Sequence, residues 1–144
     1  MDENMQQILA KLREDSYAEL LGIELLEVKP GYSSLSMMVR EDMINFNGIP
    51  HGGAIFSLAD CAFAAASNSH GQVAVALNIE ISYLRMVEPG MKLVAEATEE
   101  HLGKRTALYH ITVSTDEGDL VASCHGVVYR KRERFLGGEG AIDT

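Results

Sequence analysis

Residues 54–66 constrain the fold of this chain more than any other segment, because they are apolar on almost every side. Only Ser57 and Asp60 in this segment are polar. At 3.6 residues per turn these positions form a helix with no face suited to water, and such a helix must be enclosed by other parts of a protein. We therefore predict one central, buried helix around which the rest of the chain is wrapped.

Short apolar segments separated by turn residues surround the predicted helix. Pro30-Gly31 separates two strands of a hairpin, and the later strands are joined by short turns that predict antiparallel neighbours. The predicted fold class is therefore α+β, with a curved antiparallel β-sheet wrapped around one long central α-helix. The predicted strands span residues 23–29, 32–40, 73–84, 91–100, 105–115 and 120–130.

Residues 1–22 precede the sheet and carry apolar side chains at spacings of three or four. This pattern predicts an N-terminal amphipathic helix that ends at Gly22, with a break near Asp15 as an open alternative. A chain of 144 residues suits a single core, so residues 23–134 are predicted to form one domain. The glycine-rich residues 135–144 are predicted to be a flexible tail.

The formal net charge of −9 argues against two classes of partner. It repels phosphate backbones and anionic lipid surfaces, so we expect neither nucleic-acid nor membrane binding. The polar N-terminus resembles no secretion signal, and no run reaches the roughly 20 apolar residues of a membrane span. We therefore expect a cytoplasmic protein in which Cys61 and Cys124 are reduced thiols, since their spacing suits neither a metal nor a redox pair.

Asp60 is the unusual residue of the predicted central helix. An ionised carboxylate without partners in such a place costs several kcal/mol of desolvation. One interpretation is a structural aspartate that is hydrogen-bonded to its own chain. The other is a general base or nucleophile whose surroundings adjust its proton affinity, as carboxylates in functional clefts often are.

Gly52 and Gly53 open the same helix. The first N–H groups of a helix lack intrahelical partners and lie at the positive end of its dipole, so they can hold a developing oxyanion. Glycine also lets a substrate carbonyl approach the backbone closely, which makes Gly53 a candidate substrate contact. The alternative is that the glycine pair only turns a loop into a helix.

The spacing between these features bears on the assembly of any site. Asp60 follows Gly53 by two helical turns, an axial rise of about 10 Å. The pair in one subunit is thus too far apart to act on one carbon. A symmetric dimer with two such helices side by side can bring Gly52 of one chain near Asp60 of the other. We therefore predict a homo-oligomer, either a dimer or a dimer of dimers.

The loop and the helix carry the motif Asn45-x-x-Gly48-x-x-His51-Gly52-Gly53-x-x-x-x-Leu58-Ala59-Asp60. This motif resembles the signature of the hotdog-fold acyl-CoA thioesterases, in particular the PaaI-like branch of phenylacetate degradation. The order of elements agrees with that family over roughly residues 17–132.

The resemblance implies a role for each matching residue. Asp60 corresponds to the family's acid, which activates a water or attacks the thioester carbonyl, and Gly52 corresponds to its backbone oxyanion donor. Asn45 corresponds to an asparagine that orients water or thioester from the subunit that supplies Gly52. His51 corresponds to a histidine that orders the loop or touches the thioester. Some relatives place a hydroxyl where this chain has Ala76, which weakens any mechanism that needs a serine there.

The two halves of an acyl-CoA need different surroundings. Coenzyme A carries phosphates, for which Arg85, Lys104 and Arg105 are the local basic candidates, and the resemblance includes a glycine-basic turn at Lys104. Phe46 and Phe63 are candidates for contact with the acyl group, although apolar residues beside such a helix are more often plain core.

The leading hypothesis is an acyl-CoA thioesterase that releases free acid and coenzyme A. It needs no metal and no cofactor other than the coenzyme A of its substrate. Aromatic acyl groups follow from the resemblance alone. Two alternatives on the same fold stay open, a non-catalytic acyl-CoA-binding or regulatory module and an enoyl-CoA hydratase or dehydratase.

Overall fold

The computed structural model describes residues 2–138 and contains a six-stranded antiparallel sheet with a long helix packed against it. The predicted α+β architecture is confirmed. The elements are α1 (Glu3–Leu12), α2 (Ser16–Leu20), β1 (Glu24–Lys29), β2 (Tyr32–Met38), a short 3-10 helix (Glu41–Met43), α3 (Gly52–Asn68), β3 (Gln72–Tyr83), β4 (Lys92–Leu102), β5 (Thr106–Thr115) and β6 (Leu120–Arg134). The strand order across the sheet is β1-β2-β4-β5-β6-β3.

Helix α3 buries one of its sides against the sheet. Leu58, Ala59, Ala62 and Ala66 have no exposed surface. The small alanine side chains let the helix backbone lie close to the strands, and burial of a side chain such as Leu58 contributes roughly 1.5–3 kcal/mol. This packing holds α3 in a fixed position, so that groups on its other side are presented rigidly.

The other side of α3 is not enclosed by any part of the chain between residues 2 and 138. Gly53 and Ala64 are exposed, while Phe56 and Asp60 are half-buried. Their spacings of three and four residues place these four positions on one side, which we call the open face of α3. The prediction of an enclosed helix therefore holds for one side only, because a single sheet layer covers a single side. The open face carries Asp60.

Strand β3 lies at one edge of the sheet and pairs with β6. The prediction that β3 and β4 are neighbours is therefore wrong. Two other strands separate them, a distance of about 14 Å. Residues 84–91 are long enough to cross that distance. The turn at their end predicts a reversal of the chain but not which strand pairs with β4.

The N-terminal segment forms two helices with a separate cap for each. The Asp2 carboxylate accepts a hydrogen bond from the Met5 N–H at 2.7 Å, and the Asp15 carboxylate accepts one from the Ala18 N–H at 3.0 Å. The break near Asp15 is present because this second cap starts a new helix. The hydroxyls of Tyr17 and Ser57, 2.9 Å apart, join α2 to α3.

The chain after β6 begins with an anchored residue. The Phe135 N–H donates a hydrogen bond to the Gly71 carbonyl at 2.9 Å, and the Lys11 ammonium lies 4.6 Å from the centre of the Phe135 ring. Residues 139–144, the rest of the predicted flexible tail, lie outside the described residues. Between residues 2 and 138, no helix is long and apolar enough to span a membrane.

Candidate active site

The loop before α3 is ordered by the side chain of Asn45. Its Oδ1 accepts hydrogen bonds from the N–H groups of Asn47 at 2.9 Å and Ile49 at 3.3 Å. An asparagine suits this task because its short side chain can bond to backbone a few residues ahead. The carboxamide NH2 group of Asn45 makes no hydrogen bond to any residue from 2 to 138, so it is available to a ligand.

His51 is the N-cap of α3. Its Nδ1 accepts a hydrogen bond from the Gly53 N–H at 3.0 Å, and its side chain is exposed. A nitrogen that accepts this bond carries no proton, so the neutral ring has its proton on Nε2. His51 thus accepts a hydrogen bond from the second N–H of the helix. The first N–H, that of Gly52, is left to another acceptor.

The Gly52 N–H is the candidate oxyanion donor. It donates no hydrogen bond within residues 2–138, and it lies at the positive end of a 17-residue helix. The Tyr83 hydroxyl donates to the Gly52 carbonyl at 3.0 Å. A Cβ atom on Gly52 would lie 3.1 Å from the Tyr83 ring, which explains why the position favours glycine.

Tyr83 is a site residue that the sequence analysis missed. It ends β3 and holds the Gly52 peptide in place, so it is a positioning residue rather than one that touches the reacting atoms. The available signal was an aromatic residue at the end of an exposed strand. That signal does not indicate which helix the strand ends beside.

A cavity of about 200 Å³ is lined in part by Gly52. The structure brings Asn45, Gly52 and Arg85 together here, as the sequence predicted for parts of one site. Arg85 also forms a long ion pair with Asp119, with 3.7 Å between nitrogen and oxygen, and both side chains are about half exposed. Such a pair is weak, so the guanidinium can turn toward an anionic ligand.

Asp60 lies outside this cavity, two helical turns further along α3. Its carboxylate makes no hydrogen bond within the described part of the chain, residues 2–138. Burial, and to a smaller extent the negative charge of Asp15, raise the pKa of Asp60 above its usual value. The structure does not support a structural aspartate held by its own chain. It presents instead a half-buried carboxyl group that accepts no hydrogen bond from residues 2–138.

The two predicted acyl contacts lie in opposite environments. Phe46 is 96% exposed on the loop before α3. Phe63 is 1% exposed and packs edge-on against Tyr109, with ring centres 5.8 Å apart. A Cβ atom at Gly126 would lie 2.6 Å from the Phe63 ring, so this strand glycine makes room for it. The structure therefore makes Phe63 a core residue and does not bring it to the site.

The basic turn between β4 and β5 is held against β6 by two arginines, one from the turn and one from β6. The Arg130 guanidinium donates to the Gly103 carbonyl at 2.7 Å, and the Arg105 guanidinium donates to the Arg130 carbonyl at 3.1 Å. Lys104 is exposed. Arg130 pairs with Ala74 near the start of β3, whereas the start of α3 contacts Tyr83 at the end of β3, about 30 Å away. Within one chain, Lys104 and Arg105 are therefore far from the Gly52 N–H.

Known proteins are similar to this chain in sequence. The thioesterase superfamily matches residues 47–122. A protein from Archaeoglobus fulgidus is 46% identical over 123 residues, which cover 85% of this chain and 80% of the relative. The acyl-coenzyme A thioesterase PaaI of Escherichia coli is 38% identical over 121 residues, which cover 84% of this chain and 86% of that protein.

Solved structures of relatives confirm the hotdog fold. The E. coli PaaI protein from the phenylacetic acid degradation operon has a TM-score of 0.84 at 36% identity, covering 96% of this chain and 95% of that one. A Streptococcus mutans protein bound to acetyl-CoA has a TM-score of 0.72 at 27% identity, covering 75% and 87%. The chain therefore belongs to the thioesterase superfamily, as a hotdog-fold thioester hydrolase of the PaaI-like acyl-CoA thioesterases.

Proposed function

We propose that the chain hydrolyses acyl-CoA thioesters, aryl esters among them, in a site shared by two subunits. The Gly52 N–H of one subunit holds the oxyanion, and Asp60 of the other acts as general base or nucleophile. One observation carries this proposal. The Gly52 N–H and the Asp60 carboxylate lie on one helix, two turns apart, and neither forms a hydrogen bond within residues 2–138.

The edge strand β3 supports a two-subunit arrangement. Among the described residues it is hydrogen-bonded on one side only, and Val75 and Leu77 on it are 44% and 61% exposed. A free edge with exposed apolar side chains is a ready template for pairing with another strand. Two copies joined antiparallel along β3 would extend the sheet and set their α3 helices side by side, with the open faces adjacent.

The same pairing would bring the basic turn at Lys104 and Arg105 close to the site of the other subunit. In an antiparallel pair of β3 strands, the start of one strand lies beside the end of the other. Lys104 and Arg105, which lie near the start of β3, would then approach the partner's Gly52 end. In this arrangement the basic turn and Arg85 are proposed to bind the phosphates of coenzyme A, and Phe46 on the exposed loop is proposed to line the substrate path.

Thioester hydrolysis places specific demands on this site. Oxygen adds to the acyl carbon, the carbonyl oxygen becomes an oxyanion, and the C–S bond breaks as the coenzyme A thiolate leaves. A fixed N–H donor stabilises the oxyanion by roughly 3 kcal/mol. Asp60 either takes a proton from the attacking water or attacks to give an anhydride that water then opens. The Asn45 NH2 group orients that water or the thioester, and no cofactor is needed.

The pH dependence of turnover is expected to respond to Asp15. Because ionised Asp60 is the active form, activity falls as the pH drops through its pKa, which burial and the charge of Asp15 raise. Asp15→Asn is expected to move the acid limb of the kcat/KM profile to lower pH. Asparagine also caps helices, so α2 is retained. Asp2→Asn alters the matching cap of α1 and should leave the limb in place. An acid limb that does not move in Asp15→Asn would contradict the assignment of the limb to a group that the charge of Asp15 perturbs.

A thiol-release assay tests the proposed function. The E. coli relative belongs to a phenylacetic acid degradation operon, and on this likeness we expect phenylacetyl-CoA and benzoyl-CoA to be hydrolysed, with free thiol appearing in step with free acid. Binding of these esters without thiol release would indicate a binding module. Loss of enoyl absorbance from an enoyl-CoA, without thiol, would indicate a hydratase.

A further inference from the structure

A second and larger cavity lies under the N-terminal helices. Its volume is about 450 Å³, within the range of small-molecule pockets. It is enclosed by α1 and α2 on one side, by β1 and β2 on another, and by α3. Most of its wall is apolar, including Leu12, Ala18, Ile23, Leu25 and Leu35.

This cavity adjoins Asp60. Cys61 and Ala64, the next residue and the next turn of α3, form part of its wall. Asp15 also lines the cavity, and its charge is near enough to raise the pKa of Asp60. A thioester carbon held at Asp60 would therefore have the cavity on one side and the partner's Gly52 on the other.

The charges at the cavity mouth disfavour the anionic coenzyme A half of a substrate and leave the cavity to the acyl half. Asp15, Glu19 and Glu24 line it with exposed side chains, and Arg13 is the one cation among its lining residues in the described part of the chain. This acidic mouth repels the phosphates of coenzyme A. The smaller cavity beside Gly52 has Arg85 as its charged residue and suits the coenzyme A half instead.

The geometry points to the cavity under α1 and α2 as the acyl pocket, which takes uncharged apolar acyl groups, aryl or medium-length alkyl, and rejects acyl groups that end in a carboxylate. This inference rests on the proposed function, because the thioester carbon must lie at Asp60. Each additional buried CH2 is then expected to raise kcat/KM by up to about fourfold, until the pocket is full.

Filling the pocket tests the inference. Ala18 is half-buried on α2 and lines the cavity, whereas Ala10 is exposed on α1 and does not. We expect Ala18→Phe to lower kcat/KM for octanoyl-CoA and phenylacetyl-CoA at least about tenfold while leaving acetyl-CoA within about twofold, as expected from lost apolar burial. Ala10→Phe should leave the whole series unchanged. Equal losses for acetyl and octanoyl esters, or no loss for either, would overturn the assignment.

A charge reversal provides a second test that does not depend on packing. Glu24→Lys at the mouth is expected to raise kcat/KM for glutaryl-CoA about tenfold relative to pentanoyl-CoA, since the anionic end then meets a cation. Glu117→Lys, in the exposed turn between β5 and β6, makes the same change in net charge far from the cavity. If both reversals change the ratio of kcat/KM for the two esters equally, or if neither changes it, the cavity is not on the substrate path.

The two proposals fail in different ways. If wild-type protein releases no thiol from acetyl, octanoyl or phenylacetyl esters, the proposed function is wrong. If it hydrolyses them and the Ala18 and Glu24 variants leave the acyl preference unchanged, the proposed function stands and the acyl pocket lies elsewhere.

Discussion

Asp60→Asn is expected to lower the rate of thiol release at least roughly 10³-fold, because both candidate mechanisms need an ionised carboxylate at this position. Asparagine has nearly the same shape but can neither accept a proton from water nor attack the acyl carbon. The loss should appear in kcat, with KM little changed, since the substrate contacts remain. Measurement of kcat and KM for thiol release from phenylacetyl-CoA checks this result.

The stability of the same variant separates a functional role from a structural one. The pKa of Asp60 is higher in the folded chain than in the unfolded chain, so its ionised form disfavours folding at pH values above that pKa. Removing the charge should therefore leave the Tm at pH 7 unchanged or raise it. A structural aspartate would behave in the opposite way, with a lower Tm.

Asp42 is a matched control for the aspartate substitution. Its carboxylate accepts a hydrogen bond from the Arg40 guanidinium at 2.9 Å, and this contact lowers its pKa. Asp42→Asn removes a favourable charge pair, so its Tm should fall slightly or stay level while turnover stays normal. Near-normal turnover in Asp60→Asn would refute the catalytic assignment, whatever its Tm.

Gly52→Pro is expected to lower kcat about 10²- to 10³-fold, the usual effect of losing one oxyanion donor. Proline has no N–H, yet it is well tolerated at the first position of a helix. His51 already has an extended backbone, with φ −66° and ψ 132°, which is the conformation that a following proline requires. The substitution thus deletes the proposed donor while α3 can still form.

Gly52→Ala is the control for the side chain that proline adds. Its Cβ also lies about 3.1 Å from the Tyr83 ring, so the ring must shift by a few tenths of an ångström in both variants. Alanine retains the N–H, and we expect a loss of kcat within about fivefold. Equal losses in the alanine and proline variants would assign the effect to displacement of Tyr83 and leave the N–H without a role.

Local chemistry explains why several features could be predicted from sequence. The apolar helix, the glycines at its start and the carboxylate two turns later are separated by fixed helical geometry. The prediction of a site shared by two subunits, which stays a prediction, rests on the axial rise between Gly53 and Asp60 alone. Pairing between distant strands does not follow from such arithmetic. The turn before β4 gives a reversal but not a neighbour, and β3 pairs with β6 instead.

Residues placed by long-range packing were harder to predict. Phe63 has the aromatic side chain expected of an acyl contact. However, Gly126, a strand residue far along the chain, makes room for it in the core. Tyr83 was missed because only the assembled fold brings the end of β3 beside the start of α3. The sequence predicted an N-terminal amphipathic helix but not its place in the fold, where α1 and α2 line the cavity next to Asp60.

Mixing the two inactive variants tests the shared site most directly. Chains carrying Asp60→Asn are dissociated together with an equal amount of Gly52→Pro chains and allowed to reassociate. Half of the resulting dimers would contain one chain of each kind, and each of these would have one intact site out of two. Recovery of about a quarter of wild-type turnover is the predicted result. If the mixture stays as inactive as its components, Asp60 and Gly52 act within a single chain and the account is contradicted.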